Sequence, residues 1–176
     1  WKLTDVDNLA LAFYARGGMN TKWVGGTVTY DPYFGMNPGV TTPVTLPGTF
    51  GDGTAGVDLM QGFLNLTYAR KISDQFSGGA SAIFALQRFE ARGLDNFAPF
   101  TRTYVSTFNP ATGGQMSKNL SDNGHDMSYG YGGSVGLQWN PTEMFSFAAA
   151  YTTRMPMGDL GDYADLFAEQ GGFDMP

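Results

Sequence analysis

From Met127 to Trp139 the chain alternates. Met127, Tyr129, Tyr131, Val135, Leu137 and Trp139 share one side of an extended backbone, and Ser128, Gly130, Gly132, Ser134, Gly136 and Gln138 share the other. Successive side chains of a strand point to opposite faces, so this pattern predicts a strand with one large apolar face and one small polar face. Four other stretches repeat it. Leu9, Leu11, Phe13 and Ala15 oppose Asn8, Ala10, Tyr14 and Arg16, while Phe145, Phe147, Ala149 and Tyr151 oppose Ser146, Ala148, Thr152 and Arg154. Between Asp58 and Arg70, Met60, Leu64, Leu66 and Tyr68 oppose Gln61, Phe63, Asn65 and Thr67; between Phe76 and Glu90, Ala80, Ala82, Phe84 and Leu86 oppose Ser81, Ile83, Gln87 and Phe89. Phe63, Ile83 and Phe89 make the second face partly apolar.

The connections alternate as regularly as the side chains. Thr4 to Asp7, Lys71 to Gln75 and Asn140 to Glu143 are short, polar turns, whereas Gly18 to Gly56, Arg92 to Asp126 and Met155 to Pro176 are long. All short turns therefore fall at one end of the strands. That parity predicts an all-β fold, an antiparallel transmembrane β-barrel with short periplasmic turns and long extracellular loops. Trp1, Tyr68 and Trp139 then lie at the inner interface and Tyr129, Tyr131 and Tyr151 near the outer one. Half-burial in a soluble sandwich explains any one such strand, but is not expected to pair loop parity with aromatic residues at strand ends.

Single-chain barrels start at about eight strands, because an open sheet edge in lipid leaves backbone groups unpaired. The five strands here are therefore expected to form part of a barrel, with residues 1–176 a segment of one barrel domain. Trp1 to Leu3 reads as the end of an earlier strand, and Phe173 to Pro176 as the approach to a later one. The remaining strands are expected from the same chain or from other copies.

Composition changes the picture only by exclusion. With 10 Lys and Arg against 16 Asp and Glu, the chain is acidic and carries no basic stripe, which argues against nucleic acid as a partner. The absence of Cys suits an exported protein that does not depend on disulfides. No apolar run approaches the roughly twenty residues of a spanning helix. His125 is the only histidine and lies in a polar loop, with no Cys or second His for a metal site or nucleophilic triad. It reads as a solvated residue, so neither an enzyme nor a cofactor is expected.

The long loops are unusually apolar for segments outside a cell. The first holds Met19, Trp23, Val24, Tyr30, Tyr33, Phe34, Met36 and Phe50, and the second Leu94, Phe97, Phe100, Tyr104, Phe108 and Met116. Such surface marks ligand capture, or loops packed on one another. Gly and Pro through Asp31 to Gly56 predict irregular structure. Asn109-Pro110-Ala111 predicts a turn. Between Met157 and Gly171, the spacing of Tyr163, Leu166 and Phe167 predicts a short helix that caps the lumen or packs on neighbouring loops. Arg16 and Arg154, on the lumen face near the extracellular end, suit a carboxylate head group, or else a pairing with Asp58 or Asp159. Arg88 and Arg92 fall near the outer rim, where they face lipopolysaccharide phosphates or solvent.

Four stretches in register carry a family likeness: Tyr14 to Thr21 (YARGGMNT), Gly56 to Tyr68 (GVDLMQGFLNLTY), Leu86 to Leu94 (LQRFEARGL) and Leu166 to Pro176 (LFAEQGGFDMP). With the strand topology, they resemble the FadL/TodX family of outer-membrane transporters for long-chain fatty acids and aromatic hydrocarbons. The resemblance implies a fourteen-stranded barrel in the outer membrane of a Gram-negative bacterium, an amino-terminal hatch, and extracellular loops that collect a hydrophobic small molecule. This sequence shows neither the hatch nor the remaining strands. The expected function is passive uptake of hydrophobic molecules, with outer-membrane lipid and lipopolysaccharide as surroundings. The expected ligand-lining residues are Phe63, Ile83 and Phe89 in the lumen, Trp23, Phe97, Phe100 and Phe167 in the loops, and Arg16 and Arg154. A general diffusion porin, with a charged constriction, is one alternative. A structural or adhesive surface protein, whose loops bind a partner while the lumen binds nothing, is another.

Overall fold

The computed structural model describes residues 1–30 and 43–167. Tyr33, Phe34 and Met36, and the stretch 168–176, lie outside the described residues. The fold is mostly antiparallel β. Strands β1 (Asp7–Trp23), β4 (Ala55–Lys71), β5 (Phe76–Arg92), β6 (Asp126–Thr142) and β7 (Phe145–Thr152) form one sheet in the order β1-β4-β5-β6-β7. Strands β2 (Thr27–Tyr30) and β3 (Val44–Pro47) form a separate hairpin. All five predicted strands are present. The loop expected from Gly18 to Gly56 is corrected: β1 runs on to Trp23, β4 begins at Ala55, and the hairpin occupies part of what remains. The alternation of β1 is interrupted at Gly17-Gly18, beyond which Met19, Thr21 and Trp23 resume the same parity, which is why the sequence pattern stops short of the strand's end.

Two compact units divide the chain. The first comprises Trp1–Gly18, Met60–Gln87 and Ser128–Gly158. Its core is Phe63, Ile83 and Ala85, with Tyr14, Met155 and Met157 packed against them. Tyr14 stacks on Phe63 with ring centroids 5.5 Å apart. The same face carries polar pairs, Gln61 donating to Gln87 at 2.7 Å and Thr67 bonded to Ser81 at 2.8 Å. Gly130 is required where the chain after β7 returns along β6, since a Cβ there would lie 2.5 Å from Met157 Sδ and 2.7 Å from the Pro156 carbonyl oxygen. The opposite face of the strands exposes Phe13, Leu64, Leu66, Phe84, Tyr129, Val135, Leu137 and Phe147. Phe76, Trp139 and Phe147 form an aromatic row at 5.8 Å spacings. On β4, β5 and β6 burial alternates as the predicted faces do, whereas β7 is exposed throughout and β1 almost throughout.

Short turns close one end of this unit. Ser73 Oγ accepts from the backbone N–H groups of Gln75 and Phe76, and Lys71 pairs with Asp74 at 2.7 Å. Asp74 is held below the usual carboxyl range by its hydrogen bond from Lys71 and then by that side chain's charge. A register shift between Trp139 and Thr142 tightens the β6–β7 turn.

The second unit comprises Met19–Leu59, Arg88–Met127 and the residues from Asp159 onward. Phe89, Ala91 and Tyr163 form its core, with Val57, Leu59, Leu94, Leu160 and Leu166 around them. Tyr163 is fully buried, its ring 5.0 Å from that of Phe89 and its hydroxyl donating to the Gly124 carbonyl at 2.5 Å. The predicted loop helix is a 3₁₀ turn (Gly161–Tyr163) running into α2 (Ala164–Phe167). Its apolar stripe packs on β5, because Tyr163 and Phe167 both meet Phe89. The loop after β5 also folds further than expected, into a 3₁₀ helix (Asp95–Phe100) and α1 (Arg102–Ser106). Thr101 caps α1 by accepting from the Tyr104 N–H, and is itself buried, donating to the Ala98 carbonyl. Asn109 Oδ1 accepts from the Ala111 N–H, the turn expected at Asn109-Pro110-Ala111.

Candidate functional site

The second unit contains a cavity of about 510 Å³. Trp23 from the end of β1, Phe50 from the turn after β3, Ala55 and Val57 from β4, and Leu94 beyond β5 give it an apolar lining, and Arg92 supplies the one charge. Its size falls in the range of small-molecule sites, which pair an apolar lining with few polar groups. Gly93 shapes one wall. Its φ of 75° lies in the left-handed region, and a Cβ there would meet the Thr54 carbonyl oxygen at 2.7 Å, so only glycine turns the chain from Arg92 to Leu94. The Phe50 ring packs edge-on against Phe97 at 5.5 Å, and Phe97 lies 6.5 Å from Phe100.

Arg92 belongs to a charged network that the sequence pattern did not reveal. Its Nε donates to Glu90 Oε1 at 2.7 Å and its Nη2 pairs with Glu90 Oε2. Glu90 Oε2 also lies 2.9 Å from His125 Nε2, and that same nitrogen is 3.0 Å from Asp58 Oδ2, which accepts from Arg88 Nη2 at 2.9 Å. Asp58 and Glu90 are buried, with residue exposures of 8% and 7%, so their charges require these partners. Arg88 Nε is buried without a hydrogen-bond partner. His125 is a loop residue whose side chain is 39% exposed, in keeping with a solvated position, and its imidazole also bridges carboxylates on two strands, which the sequence did not reveal. Arg88 and Arg92 likewise engage carboxylates rather than solvent. The available signal was the alternation Arg88, Glu90, Arg92, which puts all three on one side of β5.

A second acidic group lies in the same unit. Asp52, Asp95 and Asp122 bring carboxylate oxygens within 4.8 Å of one another, with Ser121 Oγ donating to Asp95 and Asp122 at 2.7 Å each. Burial, followed in part by the charges of Asp95 and Asp122, raises the Asp52 carboxyl above its usual range against the opposing hydrogen bond from the Asp95 N–H.

The residues expected to line a ligand site are distributed among three places. Trp23 lines the cavity, and Phe97 and Phe100 adjoin it through Phe50. Phe89 and Phe167 pack with Tyr163 in the core of the second unit. Phe63 and Ile83 lie in the core of the first, where the Arg16 guanidinium sits 5.6 Å above the Phe63 ring. Arg154 is exposed. The alternative pairing of these two arginines with Asp58 does not form, since Asp58 is taken by Arg88 and His125. No helix among the described residues is long and apolar enough to cross a membrane, a statement that says nothing of strands. Comparison with protein-family models, with curated proteins and with solved structures returns no match.

Proposed function

We propose that this chain is part of an outer-membrane β-barrel that takes up hydrophobic molecules passively, with first capture in the cavity lined by Trp23, Phe50, Ala55, Val57 and Leu94. The cavity is the observation that carries the reading. Apolar side chains around an open space of about 510 Å³, with Arg92 the one charged residue of the lining, suit an alkyl chain or aromatic ring better than a polar solute. The first unit supports the membrane part of the reading. Its strands expose Phe13, Phe84, Tyr129, Val135, Leu137 and Phe147 on one face and place a Phe76–Trp139–Phe147 row at the short-turn end, as a lipid-facing wall with an interfacial girdle requires. The resemblance to the FadL/TodX family points the same way, and with it the outer membrane as location and lipid and lipopolysaccharide as surroundings. Transport would follow the ligand's own gradient.

Calorimetric titration of octan-1-ol into the native protein held in amphipol tests the capture step. We expect saturable binding that Trp23→Ala weakens about tenfold, the loss of one large apolar contact. Absence of saturable binding, or binding by Trp23→Ala and Leu94→Ala as tight as that of the native chain, would overturn the reading.

A further inference from the structure

We propose that His125 makes the cavity selective for anionic amphiphiles in a proton-dependent way: protonation of the imidazole draws Glu90 away from full neutralisation of Arg92, leaving the Arg92 guanidinium to attract a negatively charged head group. The inference rests on the reading of the cavity as a ligand site.

The path runs through one carboxylate. Glu90 binds Arg92 through both oxygens, and its Oε2 is 2.9 Å from His125 Nε2, while Arg92 lines the cavity. The groups that face His125 are Asp58 from β4 and Glu90 from β5, each backed by an arginine of β5, Arg88 and Arg92 respectively. Asp126, the next residue, turns instead to the backbone N–H groups of Met127 and Asp162. With a neutral imidazole, the two carboxylates and two guanidinium groups cancel. Its Nε2 then has one hydrogen at most to serve two carboxylate oxygens at 2.9 and 3.0 Å. Adding a proton leaves the network with one net positive charge. The His125 side chain that carries the proton is 39% exposed, so water screens part of that charge, while the Glu90 and Arg92 side chains through which it acts are 9% and 23% exposed. Linkage is reciprocal: an anion in the cavity must promote proton uptake by the protein to the same extent that the proton promotes anion binding.

Octane-1-sulfonate, an anion at every pH used, and octan-1-ol, of the same chain length and uncharged, separate this claim from the cavity reading. Both are titrated into the native protein in amphipol at pH 5.5 and 8.0. We expect the sulfonate to bind about fivefold more tightly at pH 5.5 and the alcohol equally at both, with His125→Gln removing the sulfonate's preference. In native protein, titration in two buffers of different ionisation enthalpy should report proton uptake with the sulfonate and none with the alcohol, a readout that needs no variant. A sulfonate affinity independent of pH, or a preference that survives in His125→Gln, overturns the inference while leaving the cavity reading intact. Failure of octan-1-ol to bind at either pH overturns the cavity reading, and this inference with it.

Discussion

The two cores of the molecule are built from different parts. In the first unit, the buried residues Phe63, Ile83 and Ala85 all project from neighbouring strands, with Tyr14 of β1 and with Met155 and Met157 from the chain after β7 packed against them. In the second, the centre is Tyr163, which arrives from a loop and is held by Phe89 on one side and by the Gly124 carbonyl on the other. The first core needs only period-two alternation. The second needs a particular side chain delivered to a particular place by a segment without that period. The charges divide in the same way: the first unit's ion pairs are exposed or partly exposed and lie at the short-turn end, whereas in the second unit the carboxylates Asp58 and Glu90 are buried beneath partly exposed partners.

Removing each anchor should break the comparison most sharply. Tyr163→Ala is expected to cost about 4 kcal/mol of opening free energy in the second unit, as large aromatic truncations do. Hydrogen exchange of amides in Arg88–Met127 should report that loss while amides of Met60–Gln87 keep their protection. Phe63→Ala should give the opposite map at a similar cost of about 3 kcal/mol, because it removes both the Tyr14 stack and the ring beneath Arg16.

Glu90→Gln comes next. It leaves Arg92 and the imidazole without their shared carboxylate, an unbalanced positive group in a mostly buried place, and should cost about 2 kcal/mol in the second unit alone by the same exchange measurement. The smallest effect is a gain. The native state binds a proton at Asp52 more tightly than the unfolded chain does, so this carboxyl contributes no penalty below its ordinary titration range and a growing one as the pH rises through that range. Asp52→Asn should therefore stabilise the second unit at pH 7 by at most about 0.5 kcal/mol, given the site's exposure, and by nothing near pH 3. Thermal unfolding at the two pH values checks the sign.

Legibility followed the same division. The alternation of Met127 to Trp139 and of the four companion stretches was enough to place the five long strands and their two faces, because one face is apolar throughout and a slip of one residue would invert it. The second unit hid from that reasoning. The extension of β1 to Trp23 lies beyond the break at Gly17-Gly18, the caps around Thr101 depend on local hydrogen bonds, and His125 gains its partners from Asp58 and Glu90, 67 and 35 positions away in sequence. The cavity was half visible. Trp23, Phe50 and Leu94 stood out as apolar loop residues, but nothing in the chain before folding brings them together with Val57 and Arg92 around one space.

The proposed barrel requires that the face of the first unit carrying Val135 and Leu137 meet lipid. The native chain has no cysteine, so single-cysteine variants can be labelled without background. Cysteine placed in turn at Ser134, Val135, Gly136, Leu137 and Gln138 of the protein in its native membrane should react with a water-soluble maleimide in strict alternation, with Val135 and Leu137 protected and Ser134, Gly136 and Gln138 labelled. Equal labelling of all five would contradict a lipid-facing wall, and with it the proposed barrel.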